Sequence, residues 1–234
     1  MASRFPLSPQ PRLTAAYIGD EREPVLRAEA MLDQPQTLVD LAAPGSFAPA
    51  FSSAGGYPGL RAPAPRDYVE TIVRALTGPI GEAFALGPIR PVEANCSYSL
   101  VTLPEDQLVP VQRAPHVDTV DGWQFAILHY LCDAGFGGTA FYRHRATGYE
   151  TLTEDRLPAY HAARAAEGWA AGYVEDGAPW FDKIAEVSAH FNSLVVYRSR
   201  VLHSGRILAP ERLSPDPRRG RLTANIFVTF AAGA

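Results

Sequence analysis

The chain is almost without lysine. Lys183 is the single example among 234 residues, and arginine carries the rest of the positive charge. The formal net charge is -4, so the basic excess that nucleic acid or an anionic membrane would call for is missing, and neither partner is expected. Cysteine is scarce too. Cys96 and Cys132 both lie in apolar, strand-like stretches, where a thiol behaves as a small hydrophobe, and two cysteines make no disulfide framework. No stretch is long and apolar enough to span a bilayer as a helix. Residues Met1 to Leu13 carry prolines and lack the continuous apolar core of a signal peptide. These absences lead to the expectation of a soluble cytoplasmic protein. Repeats and low-complexity tracts are absent as well. Hydrophobic residues make up 47%, enough for a real core, and a single all-β domain can reach this length.

The first 91 residues read as an N-terminal arm and supporting helices. Residues 1–19 are proline-rich and suggest an extended arm. Glu21 to Leu32 can form a short amphipathic helix with Pro24 near its start. Ala42 to Pro65 is rich in Gly, Pro, Ser and Ala and reads as a long ordered loop rather than a linker, since what precedes it is too small to hold its own core. Asp67 suits a helix N-cap. Tyr68, Ile72, Val73 and Leu76 recur at helical spacing, and Gly78-Pro79 is expected to interrupt before Ile80 and Phe84.

From residue 92 the pattern changes to strands: 92–103, 123–131, 138–143, 193–197 and 221–230, with a helical stretch at 153–169. Several strands separated by long excursions suit an antiparallel jelly-roll better than a βαβ fold. The expected class is therefore mainly β (α+β), one domain over 1–234, with residues 92–230 as its core. Residues 145–190, which hold Trp169, Tyr173, Trp180 and Phe181, form a candidate lid.

The chemistry centres on His116-Val117-Asp118. On an extended segment residues i and i+2 share a face, so imidazole and carboxylate can reach one ion together. So short a motif recurs freely, and a solvated loop is its plain alternative. His203 adds a second imidazole at the end of an apolar strand. Two histidines and a carboxylate form the facial set that holds non-haem Fe(II) while leaving positions open. In the last strand Arg221, Thr223 and Asn225 share one face, with Leu222, Ala224 and Ile226 on the other. A buried arginine needs an anion, and a guanidinium can grip a carboxylate through two parallel hydrogen bonds. If the polar face is instead an edge in water, Arg221 has no such role. The Tyr130 phenol can reach the same carboxylate. His129 has the opposite parity and is set aside; His144, His161 and His190 read as structural or surface residues.

This ordered series resembles the Fe(II)- and 2-oxoglutarate-dependent dioxygenases, nearest to the prolyl-hydroxylase-like branch. The resemblance covers residues 92–230. It rests on Tyr98, His116-x-Asp118, Leu128-His129-Tyr130-Leu131, Gly137-Gly138-Thr139, the strand into His203, and Arg221-x-Thr223. It implies a double-stranded β-helix (jelly-roll, cupin-like) with N-terminal helices on its outer face and a helical insertion. His116, Asp118 and His203 would be the iron ligands. Arg221, with Tyr130 and Thr223 beside it, would hold the distal carboxylate of 2-oxoglutarate, and Tyr98 would line the pocket near the iron. O2 would be the oxidant, succinate and CO2 the coproducts, and a small molecule, amino acid or peptide the substrate hydroxylated. One departure is visible: the interval from His203 to Arg221 is long for this family. Residues 208–217 read as a loop insertion, and Arg218 or Arg219 competes for the cosubstrate role. Two other readings stand beside this one: an inactive jelly-roll that binds a metal or ligand, and a zinc hydrolase using the same three ligands.

Overall fold

The computed structural model describes residues 3–174 and 179–233. Its first elements are β1 (Arg12–Ile18) and β2 (Glu23–Glu29), an antiparallel hairpin paired from Arg12↔Glu29 to Ile18↔Glu23. An arm and a helix were expected here, and both expectations are corrected. Val25 packs into the layer between the sheets while Leu26 and Ala28 pack on the opposite side. A strand buried on both faces loses the strict alternation that identifies strands.

A short helix α1 (Gln36–Ala42) follows, then a second hairpin, β3 (Ala48–Ser52) and β4 (Gly55–Pro63). The glycines that made this stretch read as loop have structural jobs. Gly55 and Gly56 turn the chain at φ +123° and +100°. Gly59 lies against a neighbouring strand where a Cβ would sit 1.9 Å from the Leu100 carbonyl oxygen, a gap only glycine fits. Helix α2 (Arg66–Ala83) buries Tyr68, Ile72, Val73, Leu76 and Ile80 on one face, as the spacing predicts. It runs unbroken through Pro79. The apolar stripe continues across that position, so burial outweighs the one hydrogen bond a proline removes.

The remaining elements are β5 (Ile89–Val101), β6 (Gln124–Tyr130), β7 (Thr139–His144), α3 (Leu157–Ala165), β8 (Phe181–Val187), β9 (Ser193–Arg198), β10 (His203–Gly205) and β11 (Arg221–Ala232). They complete two antiparallel sheets, one ordered β1-β2-β9-β6-β11-β5-β4-β3 and one ordered β10-β7-β8. A lone bridge between His116 and His203 extends the smaller sheet by one segment. The fold is thus mainly β and jelly-roll-like, with three α-helices among the described residues. The N-terminal third holds two β-hairpins as well as its helices. Within residues 145–190, expected as a candidate lid, Phe181–Val187 is instead β8, a strand of the smaller sheet, and 175–178 lie outside the described residues. Neither cysteine is in a disulfide, and no helix is long and apolar enough to cross a membrane.

The large sheet has two different faces. Leu222, Ala224, Ile226 and Val228 on β11 pack with Tyr68, Ile72 and Leu76 of α2. The other face meets the smaller sheet through Ala126, Tyr130, Val195, Tyr197 and Phe141. Residues opposite one another in antiparallel strands share a face, so Arg221, Thr223 and Asn225 turn inward between the sheets.

A buried polar chain ties the N-terminal segment to the large sheet. The Tyr68 hydroxyl donates to His129 Nδ1 at 2.9 Å, and His129 Nε2 donates to Asn192 Oδ1 at 3.2 Å. Asn192 in turn accepts from the Leu32 N–H and donates to its carbonyl. Burial depresses the His129 pKa to about 4. An exposed histidine in the unfolded chain titrates near 6.5, so the unfolded state takes up the proton first. The stability held by neutral His129 is complete above that value and drains away as the pH falls towards 4, by about 3 kcal/mol. Urea melts of the wild type and of His129→Gln at pH 7, 5.5 and 4.5 will show the wild type losing stability more steeply. Equal acid slopes would contradict this account.

Candidate metal centre and anion pocket

His116 and Asp118 lie on a segment pinned by its backbone. The His116 N–H donates to the His203 carbonyl and the His203 N–H to the His116 carbonyl, both at 2.9 Å; the Asp118 N–H donates to the Ser199 carbonyl at 2.9 Å. The i, i+2 relation thereby becomes a shared face towards His203. His203 Nδ1 lies 2.9 Å from the Val201 carbonyl. That contact requires a proton on Nδ1 and leaves the Nε2 lone pair free. Asp118 Oδ2 is 3.6 Å from His203 Nε2, and Asp118 Oδ1 is 4.0 Å from His116 Nε2. One ligand atom from each residue lies within 4.8 Å of the others, and no hydrogen bond joins them. The surrounding protein and then the nearby His203 hold the His116 pKa down, to about 4. Half of the His116 side chain stays open to solvent. Two imidazoles and a carboxyl group, gathered without hydrogen bonds between their side chains, are a donor set suited to a divalent transition metal.

Arg221 opens β11 and is buried, with 4% of its surface exposed. One of its terminal nitrogens donates to the Gly138 carbonyl at 2.8 Å, while its Nε has no partner. No carboxylate among the described residues pairs with it. Gly138 can present that carbonyl because it has no Cβ; one would lie 1.8 Å from the Val187 carbonyl oxygen. The Tyr130 hydroxyl is 2.6 Å from Thr139 Oγ1. Burial raises the Tyr130 pKa to about 12 against the opposing effects of Thr139 and Arg221, so the phenol stays protonated and able to donate. Thr223 pairs with Tyr130 on one side and Ser99 on the other. Arg218 and Arg219, the competing arginines, are exposed, and Arg218 reaches Asp40 instead. The structure therefore brings Arg221, Tyr130 and Thr223 together on the inward face.

Tyr98 is the exception and a correction. It pairs with Ala224, which puts it on the helix-covered face among Ala62, Tyr68 and Leu100. On β5, Ser97, Ser99 and Val101 turn inward, opposite Asn225, Thr223 and Arg221.

Two residues missed by the sequence reading complete the inward face. Arg61 on β4 pairs with Ser99, extending the row Arg61–Ser99–Thr223–Tyr130 across four strands. Its guanidinium lies over the Tyr57 ring at 4.8 Å, and its charge helps depress the His116 pKa. Ser99 Oγ, Arg61 Nε and Asn225 Oδ1 are buried without hydrogen-bond partners, and the Tyr57 hydroxyl has only Thr223 near it. Buried polar atoms are rarely left so, and several of them on one inward face make that face suited to a polar ligand.

Fold and site together define a jelly-roll-like protein with a two-histidine, one-carboxylate cluster and two arginines on the inward face of the large sheet. The chain belongs to a family of unknown function (DUF6445), whose sequence profile spans residues 9–228. No curated protein matches it in sequence. Among solved structures it is similar to the epimerase SnoN in complex with Fe3+, alpha ketoglutarate and nogalamycin RO. The TM-score is 0.51 at 18% identity, covering 92% of this chain and 83% of that one. A second structure of SnoN, a non-heme alpha ketoglutarate dependent epimerase from nogalamycin biosynthesis, gives 0.50 at 16% identity, covering 91% and 79%. At these identities the likeness establishes the shared fold.

Proposed function

We propose that this protein is a non-haem Fe(II)- and 2-oxoglutarate-dependent oxygenase of the prolyl-hydroxylase-like branch, hydroxylating a C–H bond of a small molecule, amino acid or peptide. The observation that carries the reading is Arg221. A buried guanidinium with no anionic partner among the described residues, on the inward face that meets the metal donors, calls for an anionic ligand. The dicarboxylate 2-oxoglutarate supplies one, and the similar structure of SnoN contains both Fe3+ and alpha ketoglutarate. A hydrolytic zinc site would leave Arg221 without a partner.

In this reading His116, Asp118 and His203 hold the iron. When bound, iron with 2-oxoglutarate and O2 supplies the oxidising power, the cosubstrate leaving as succinate and CO2 while one oxygen atom goes to the substrate carbon. The protein's share is placement. Arg221 fixes the far carboxylate with the donors that Gly138 does not use, and the Tyr130 phenol and Thr223 hydroxyl add neutral donors beside it. Tyr197, whose ring lies 4.8 Å from that of His203, and Phe141, packed edge-on against Tyr197, form an apolar wall that keeps water from one flank of the centre.

The test is formation of succinate from 2-oxoglutarate by the purified protein in air. Slow, Fe(II)-dependent and O2-dependent release of succinate is expected even without a second substrate, and none with Zn(II). Absence of succinate in the Fe(II) sample while 2-oxoglutarate is bound would favour the inactive binding protein.

A further inference from the structure

Arg221 satisfies one anionic requirement of the pocket, and Arg61 poses another. Arg61 is half-buried on the inward face of β4, and no acidic side chain among the described residues pairs with it. Its Nε is buried and unpartnered, as is Ser99 Oγ on the paired strand, and the Tyr57 hydroxyl has only Thr223 near it. Stacking on Tyr57 holds the guanidinium plane, which leaves its edge to act as a fork. Tyr57 lies between the two arginines, its phenol feeling the charge of both. Arg221 is two strands from Arg61 and turns towards Gly138, so one small dicarboxylate chelated at the metal does not need both.

We propose that Arg61 is the binding residue for a carboxylate on the molecule being oxidised, so that the substrate is a carboxylic acid held by Arg61, Tyr57 and Ser99 beside His116. The inference rests on the oxygenase reading for the identity of the reaction, but not for the preference for an acid. A two-oxygen planar anion matches the free guanidinium edge, and the Ser99 and Tyr57 hydroxyls supply further donors to it. A single negative charge also balances this arginine, with Asp118 already supplying one carboxylate to the centre.

The probes are a panel of N-acetyl amino acids and the matching carboxamides. Binding is read as the shift in melting temperature and by calorimetry, with and without 2-oxoglutarate, on anaerobic Fe(II)-loaded protein. In the wild type at least one acid is expected to bind tenfold or more tightly than its amide, as loss of a charge-assisted contact worth roughly 1.5–3 kcal/mol implies. Arg61→Gln should erase that preference and Arg61→Lys should keep part of it. The affinity of Arg61→Gln for 2-oxoglutarate should stay within about threefold of wild type, well short of the loss a direct charged contact would cause. Acids that bind no better than amides, or an acid preference that survives in Arg61→Gln, would overturn the proposal. So would a large loss of 2-oxoglutarate affinity in that variant, which would move Arg61 to the cosubstrate. If the wild type ignores 2-oxoglutarate yet prefers acids through Arg61, the oxygenase reading fails and the Arg61 site stands.

Discussion

His203→Ala is expected to lower Fe(II) affinity by more than about a hundredfold, since losing even an outer-shell partner of a metal ligand costs 10–100-fold. His203 is the most enclosed of the three donors, with 5% of its surface exposed, and its ring is fixed by the Val201 carbonyl. Its backbone bridges to His116, so its side chain can be truncated while the peptide pairing that positions His116 remains. Competition with a coloured chelator gives the affinity. Circular dichroism shows whether the fold survives the cavity, and His203→Gln fills that volume if alanine does not. Metal-dependent succinate formation should vanish in both variants. An unchanged Fe(II) affinity in a folded variant would remove His203 from the site.

Arg221→Ala should leave Fe(II) binding intact and weaken 2-oxoglutarate by about a hundredfold or more. Two charge-assisted hydrogen bonds of roughly 1.5–3 kcal/mol each are lost, and water re-entering the pocket recovers only part. Arg221→Lys keeps the charge but loses the fork, and should fall between. The asymmetry is the useful feature, because metal affinity and cosubstrate affinity separate in one variant. The two assignments can then fail independently. If Arg218→Ala or Arg219→Ala weakened the cosubstrate instead, the exposed arginines that follow residues 208–217 would take the role.

The clustering of His116, Asp118 and His203 was legible for a simple reason. An extended His-x-Asp puts both groups on one face whatever surrounds it, and a histidine ending an apolar strand has few places to point. Arg221 was legible because β11 has one apolar face under α2 and one polar face inside, and the alternation shows directly. The same alternation runs through β5, where Ser97 and Ser99 turn inward and Cys96, Tyr98 and Leu100 turn outward. Tyr98 was misplaced because an aromatic near a polar pocket looks like lining, although its parity puts it with the helix layer. The N-terminal third was hidden for other reasons. β2 is buried on both faces and so does not alternate. β4 carries the glycines that close strand packing demands, and they made it resemble loop. Arg61 lies in that strand, and no residue pattern announced that it faces the metal site.

The most direct measurement is an anaerobic titration of the Fe(II)-loaded protein with 2-oxoglutarate, watched in the visible spectrum. The account predicts a metal-to-ligand charge-transfer band in the wild type, which at limiting 2-oxoglutarate disappears in Arg221→Ala. A protein that binds Fe(II) through His116, Asp118 and His203 yet shows no band at saturating 2-oxoglutarate would contradict it.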